Sequence, residues 1–335
     1  MNLATNYMGL KLSSPLVVSA SPLPRSLDNL RQMEASGASA VVLWSLFEEQ
    51  IEHEARELDY YLHYGTERFA ESLTYFPQVE TFHLAGDQYV EHVTKARQAV
   101  NIPIIASLNG VSAGGWIHYA RRLQDAGADA LELNVYFLPT DPTVDGRRVE
   151  QAHLDVLHAV RSAVTIPVAV KLSPFFSAIA NMAQSLSQAG ADGLVLFNRF
   201  YAPTIDVENL QVARQLRLSD SGDSLLPMRW IAILRDRVEV SLAASGGIHT
   251  PQDMAALIMA GADVTMVCSA LLQRGIGHLR TLRDGLDAIG RRHGYADVGE
   301  MRGILSHRSS AEPGAFERAN YMKTLNEYGR TATLE

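Results

Sequence analysis

Cysteine occurs once in the 335 residues, at Cys268. A single thiol cannot staple the chain and leaves no cluster for zinc or an iron-sulfur centre, so a reducing, cytoplasmic setting is expected. Lysine is almost as scarce. Of 29 basic residues only Lys11, Lys95, Lys171 and Lys323 are lysine, and the rest are arginine. No run of about 18 uncharged apolar residues is present, and the start Met1-Asn2-Leu3-Ala4-Thr5-Asn6 lacks the basic and apolar regions of a signal peptide. No membrane partner is therefore expected. The net charge is −8 and no basic tract occurs, which argues against a nucleic acid partner. The eleven histidines show no H-x-H or H-E-x-x-H spacing, so no metal site is expected.

What is present is apolar residue in quantity, 47% against 20% charged, enough to bury a large core. One phrase recurs, a helix end with Gly-Ala followed by an apolar strand. It reads Ser36-Gly37-Ala38-Ser39 before Ala40-Val41-Val42-Leu43, Ala126-Gly127-Ala128-Asp129 before Ala130-Leu131-Glu132-Leu133, Ala189-Gly190-Ala191-Asp192 before Gly193-Leu194-Val195-Leu196, and Ala260-Gly261-Ala262-Asp263 before Val264-Thr265-Met266-Val267. Glycine ends a helix at little cost, and short apolar runs suit strands buried on both faces. Four further apolar runs lie between these joints. Together they predict strands near 16–20, 40–44, 103–108, 130–134, 167–172, 193–198, 238–244 and 264–268, with amphipathic segments such as Trp116 to Asp125 and Thr250 to Met259 between them.

Eight strands alternating with helices is the count of a (β/α)8 TIM barrel in the α/β class, here one domain over 1–335 with a C-terminal helical extension from about 291. The long gaps from about 45 to 102 and 199 to 237 predict inserted helices or loops after strands 2 and 6. Within them, Tyr60-Tyr61-Leu62-His63-Tyr64 reads as the packing face of an inserted helix. Ala315 to Tyr321 reads as an amphipathic helix used for packing or for an oligomer contact. A doubly wound open sheet is the structural alternative, although no G-x-G-x-x-G follows the first strand.

In such a barrel the chemistry lies at the C-terminal ends of the strands. Ser245-Gly246-Gly247 with Thr250-Pro251, and Ser269-Ala270 after strand 8, have the form of a phosphate site, since glycine lets backbone N–H groups approach an anion. A tight turn with a helix cap is the plainer reading, and His249 beside it reads as a cap or surface residue. Lys171 ends an apolar strand in a chain that otherwise prefers arginine. It could form a Schiff base, titrate, or hold negative charge on a bound ring; the plainer alternative is an ion pair with Glu132. Asn109, Asn134 and Asn198 end three strands and offer donors and acceptors to a heterocycle.

In order along the chain, Gly9 to Leu16, Ser19-Ala20-Ser21, Glu132-Leu133-Asn134, Val170 to Pro174, Asn198, Ser245 to Ile248 and Cys268 to Leu271 are similar to the dihydroorotate dehydrogenases over roughly residues 2 to 290. The resemblance implies an FMN-containing barrel of pyrimidine biosynthesis, an oxidoreductase acting on CH–CH groups. It implies that Ala20, Ser21 and Ser45 line the flavin, that Asn134 and Asn198 lie near its ring or the substrate, and that Lys171 sits by N1 and the C2 carbonyl. Gly246, Gly247, Ser269 and Ala270 would bind the FMN phosphate.

The departures are specific. Phe137 stands where the family carries a cysteine or serine base, and a phenyl ring cannot take a proton. Tyr136 or Thr140 is then the candidate proton donor, with Asp141 beside them, and an altered small-molecule substrate is expected. Trp44 stands where the family has a lysine after strand 2, and the family's asparagine-rich loop is replaced around Leu73-Thr74-Tyr75-Phe76-Pro77. Two rival readings remain: a phosphate-binding barrel aldolase with Lys171 as Schiff-base amine, and a flavin-bearing subunit passing electrons to a redox partner protein. A homodimer is the commonest association for a chain of this kind.

Overall fold

The computed structural model describes residues 1–48, 85–110, 113–199, 202–213 and 216–317. The stretches Tyr60 to Tyr64 and Leu73 to Pro77 lie outside them. Eight parallel strands close into a barrel: β1 (Leu16–Val18), β2 (Ala40–Phe47), β3 (Ile104–Asn109), β4 (Ala130–Asn134), β5 (Val168–Leu172), β6 (Gly193–Leu196), β7 (Ser241–Ser245) and β8 (Val264–Val267). Pairing of Thr265 through Val267 with Leu16 through Val18 seals the ring, which removes the open-sheet alternative. Each predicted strand is found, shifted by a few residues at its ends. The helices around it are α1 (Leu27–Ala35), α2 (Ala85–Ala99), α3 (Ala113–Asp125), α4 (Gly146–Arg161), α5 (Ile179–Gln188), α6 (Leu225–Leu234), α7 (Pro251–Ala260), α8 (Ser269–Arg274) and α9 (His278–Arg292).

Strand side chains alternate between the barrel axis and the helices, so a strand buried on both faces is apolar throughout. Val17, Val42, Ile105, Ala169, Val195 and Val264 belong to one buried cluster at the axis, while Leu16, Val41, Ile104, Val168 and Leu194 belong to a second that packs on the helices. Between Val42 and Ser45 the register of β2 against β3 slips. The slip sets Ser45 opposite Ser107, their hydroxyls 2.8 Å apart. Trp44 instead packs with the outer cluster, its ring 4.9 Å from Tyr89 and 4.6 Å from His92, under the Arg25 guanidinium.

The repeated Gly-Ala-Asp phrase acquires a mechanical meaning. Asp129 Oδ2 accepts from Ile104 N at 2.8 Å, Asp192 Oδ2 from Val168 N at 2.8 Å, and Asp263 Oδ2 from Leu242 N at 2.7 Å. Each carboxylate ties the start of its own strand to the start of the neighbouring one. An arginine pairs with each of them: Arg97 with Asp129, Arg161 with Asp192, and Arg235 with Asp263. The glycine before each has positive φ, from +95° to +129° across Gly127, Gly190 and Gly261, where a Cβ would be strained. In the first copy the aspartate is a serine, and Ser39 Oγ donates to Leu16 O at 2.8 Å.

A hairpin that sequence pattern did not single out closes the bottom of the barrel. Thr5–Tyr7 pairs with Leu10–Leu12 across Met8 and Gly9, both with positive φ as a two-residue hairpin connection needs. Tyr7 is fully buried in the axial cluster, Met8 N donates to Ser241 Oγ at 2.9 Å, and the Met8 side chain fills the space beside Gly193. The insertion after β6 carries a second hairpin, Thr204–Asp206 with Gln211–Ala213. Past α9 the described residues hold one short helix, Val298–Met301, then a 3-10 turn at Pro313–Phe316. The amphipathic helix expected over Ala315 to Tyr321 is thus not seen at its start, because Pro313 begins a single turn and Glu317 is already extended. Residues 318–321 lie outside the described set. Among the described residues, no helix is long and apolar enough to cross a membrane.

The three carboxylate ties differ in burial, and so should their worth. Asp263 is buried and also receives Arg302 Nη1 at 2.6 Å. Asp263→Ala would strand two guanidiniums and is expected to cost about 3–5 kcal/mol, read as a lower urea midpoint. Asp129→Ala, half-exposed, should cost about 1–2 kcal/mol. Equal losses would show that burial of the tie does not matter.

Candidate functional site

Toward the C-terminal rim the axial positions turn from apolar to polar: Ser107 and Asn109 on β3, Glu132 and Asn134 on β4, Lys171 on β5, with Ser19 and Ser21 just after β1. The same alternation that fills the lower barrel delivers them inward. Lys171 is buried, with Nζ 3.4 Å from Glu132 Oε1 and 3.5 Å from Ser19 Oγ. Glu132 is fully buried. Its Oε2, Ser21 Oγ and Tyr7 Oη are buried without a hydrogen-bond partner among the described residues.

A cavity of about 760 Å³ opens over these groups, within the range of a cofactor site. It brings together Ala20, Ser21, Lys171, Asn198, Gly246, Gly247 and Ser269. Asn134 joins them through its side chain, as Asn198 Nδ2 donates to Asn134 Oδ1 at 2.7 Å. Asn109 is buried opposite Asn134 in register and Ser45 is held by Ser107; neither is among the residues that line the cavity. Ala270 is fully buried beneath it. Half-buried Tyr136 and exposed Thr140 are not brought to the wall. Asp141, exposed beside Thr140, accepts from Thr143 N and Oγ1, and these bonds hold its carboxyl below the usual range.

The glycine turn combines strain relief and close approach. Gly246 and Gly247 have φ of +101° and +73°. A Cβ on Gly247 would lie 2.1 Å from Ser224 N, whereas one on Gly246 would meet open space. The turn is therefore bare backbone facing the cavity on one side and packed backbone on the other. Thr250 and Asp253 form a capping box on α7, so the cap reading of this segment holds as well. His249 is a correction: it is buried, not a surface residue. Its Nε2 lies 3.1 Å from Ser219 Oγ, and Ser219 N donates to Ser269 Oγ at 3.2 Å.

Sequence reading passed over the segment Leu216 to Ser219, Arg199 and Phe197, which also line the cavity with Cys268. The available signal was the run Ser219-Asp220-Ser221-Gly222-Asp223, whose Asp220 and Asp223 form a capping box over a 3-10 turn. Burial pushes the Cys268 thiol up, against a smaller opposing pull from Lys171.

With this geometry in place, the comparisons define the class. The dihydroorotate dehydrogenase family profile matches residues 84–289. The chain is 25% identical over 315 residues to the dihydroorotate dehydrogenase B (NAD(+)) catalytic subunit of Pyrococcus abyssi, covering 90% of this chain and 98% of that one. It is 29% identical over 228 residues to dihydroorotate dehydrogenase A (fumarate) of Lactobacillus delbrueckii subsp. bulgaricus, covering 65% and 73%. The corresponding protein of Lacticaseibacillus paracasei is 33% identical over 188 residues, covering 52% and 62%. The chain belongs to the dihydroorotate dehydrogenase family. FMN is the cofactor of this family's enzymes, which are oxidoreductases. The residues present fit it: the cavity is large enough, its glycine turn leaves room for an anion, and a buried cation and an unpartnered Ser21 hydroxyl belong to its lining.

Two buried imidazoles make the stability of the fold depend on pH. Burial, above all, lowers the pKa of His153 and of His249 below the ordinary value near 6.5. The folded state then binds fewer protons than the unfolded chain, so stability is full above about pH 6.5 and falls as the pH drops toward the folded-state values. Melting temperatures measured from pH 8 to pH 5 should decline on the acid side, less steeply in His153→Leu. An unchanged slope in that variant would remove His153 from the explanation.

Proposed function

We propose that this chain is an FMN-dependent oxidoreductase acting on a CH–CH group of a small planar or unsaturated substrate other than dihydroorotate. The observation that carries the reading is Lys171, a buried cation at the floor of a cavity whose far end is the Gly246-Gly247 turn. Bound FMN supplies a hydride acceptor and donor at N5. The chain's residues do the rest. Gly246, Gly247 and Ser269 hold the phosphate with backbone N–H groups and a hydroxyl, over the small Ala270. Ala20 and Ser21 line the ring, with Ser45 and Asn109 on β2 and β3 beyond the lining residues. The coupled Asn134 and Asn198 amides orient a heterocycle edge, since their mutual bond fixes which atoms remain to donate and accept. Lys171 places positive charge where negative charge develops on reduction.

The substrate assignment follows from the β4 rim. Phe137, which the resemblance sets at the family's base position, is half-buried and cannot accept a proton. Tyr136 and Thr140 are the hydroxyls next along the chain; they stand off the cavity wall, and a hydroxyl brought to the substrate there would serve as a proton donor rather than as a base. Reduction of an unsaturated substrate suits such a donor better than oxidation of a saturated one. The Schiff-base reading is weaker, because Lys171 faces a carboxylate at 3.4 Å and not the apolar or cationic surroundings that make a lysine nucleophilic. A redox partner protein, as the word "subunit" in the Pyrococcus abyssi relative's name suggests for that protein, would supply or drain electrons.

The visible spectrum of the purified protein tests both parts. Flavin bands are expected, unchanged on anaerobic addition of dihydroorotate. Bleaching would overturn the altered substrate, and absence of flavin after incubation with FMN would overturn the cofactor and revive the aldolase. Gly247→Ala should weaken FMN binding at least about tenfold, by the clash of its Cβ with Ser224 N; equal affinity by fluorescence titration would remove the turn from the site.

A further inference from the structure

Glu132 sits on β4 with its carboxylate at the barrel axis, fully buried. Among the described residues its one ionic contact is to Lys171 Nζ at 3.4 Å, and Oε2 has no partner there. Nor does the hydroxyl of Tyr7, whose pKa burial raises first and the Glu132 charge second. Two charges taken out of water cost several kcal/mol each, and only close, fully hydrogen-bonded geometry returns that cost. This pair has one long contact and an unsatisfied oxygen, so fold stability is a poor reason for it.

The choice of lysine sharpens the point. In a chain that uses arginine almost everywhere, an arginine at 171 could have locked onto Glu132 through two parallel bonds. An ammonium instead spreads its donors among several directions. Here one reaches Glu132, one reaches Ser19, and the cavity lies above. A lysine held this way is tethered from below yet still presents charge upward.

We infer that Glu132 is a positioning residue: it tethers Lys171 to the cavity floor and offsets its charge, so that the bound cofactor meets a partly neutralised cation. The inference rests on the reading of the cavity as an FMN site. Removing the carboxylate while keeping its shape should leave Lys171 uncompensated and make the site more electron-attracting. Sulfite, which adds to flavin N5 and leaves negative charge on the ring, reads this without any substrate or turnover.

In holoprotein at pH 6, Glu132→Gln should tighten the sulfite adduct at least about tenfold, the scale of one buried charge at an effective dielectric near 20. It should also raise the flavin midpoint potential. In a Lys171→Met background the same change should shift the adduct constant less than about threefold, as an isolated buried carboxylate there takes up a proton. Tyr7→Phe, which removes a hydroxyl but no charge, should leave the constant unchanged. If Glu132→Gln does not fold, Glu132→Asp, with its carboxylate drawn back from Nζ, must move the constant in the same direction. FMN bound by all variants with equal adduct constants would overturn the inference alone, as would an equal effect with and without Lys171. Failure of the wild-type protein to take up FMN would overturn the inference and the proposed cofactor together.

Discussion

A closed ring of eight parallel strands admits only every second side chain of each strand to its axis, and the rest of this molecule is arranged around that limit. Below, the admitted positions are small or branched and pack solid: Ala169, Val195, Ala243 and Val264 among them. Above, the same alternation continues into Glu132, Asn134 and Lys171, so the polar floor of the cavity is an extension of the core rather than an addition to it. One irregularity adjusts the scheme. The slip in β2 turns Ser45 inward and Trp44 outward. The tryptophan that stands where the family has a lysine after strand 2 therefore belongs to the packing of α2 and leaves the axis to a serine.

The two ends of the barrel carry different duties. At the lower end, carboxylates of the Gly-Ala-Asp joints bind neighbouring strand starts and arginines clamp them, a device repeated three times with nearly the same distances. At the upper end the polar groups are poorly satisfied: long contacts at Lys171 and bare oxygens on Glu132 and Ser21. Unsatisfied buried polar atoms are costly, and apart from the Tyr7 hydroxyl those named here stand toward the rim, which matches the separation of chemistry from stability in this architecture. The family assignment then gives those unsatisfied groups a cofactor to meet.

Much of this was legible because it is periodic. The strand runs and the four joints could be placed from hydrophobic runs and glycine positions alone, and the residues at strand ends followed once the count reached eight. Ser219 and His249 were not legible in the same way, for their meeting joins a loop to a turn 30 positions away, and no local pattern encodes it. The opening hairpin was missed because Met8 takes positive φ, a conformation that side chains with a Cβ seldom adopt, leaving only Gly9 as a turn signal. Lys171 stood out for a compositional reason, the rarity of lysine, while the condition of its partner Glu132 needed coordinates.

The opening hairpin also has a consequence in time. Tyr7 and Met8 are made well before the surfaces that bury them, for Gly193 and Ser241 belong to β6 and β7 and Ser241 follows Met8 by 233 positions. The seam between β8 and β1 likewise joins residues some 250 positions apart. Such distant pairings are slow to form because a long loop must close first. During synthesis the hairpin therefore stays exposed until the strands of its socket exist, and an apolar segment in that state is where a chaperone would have most to hold.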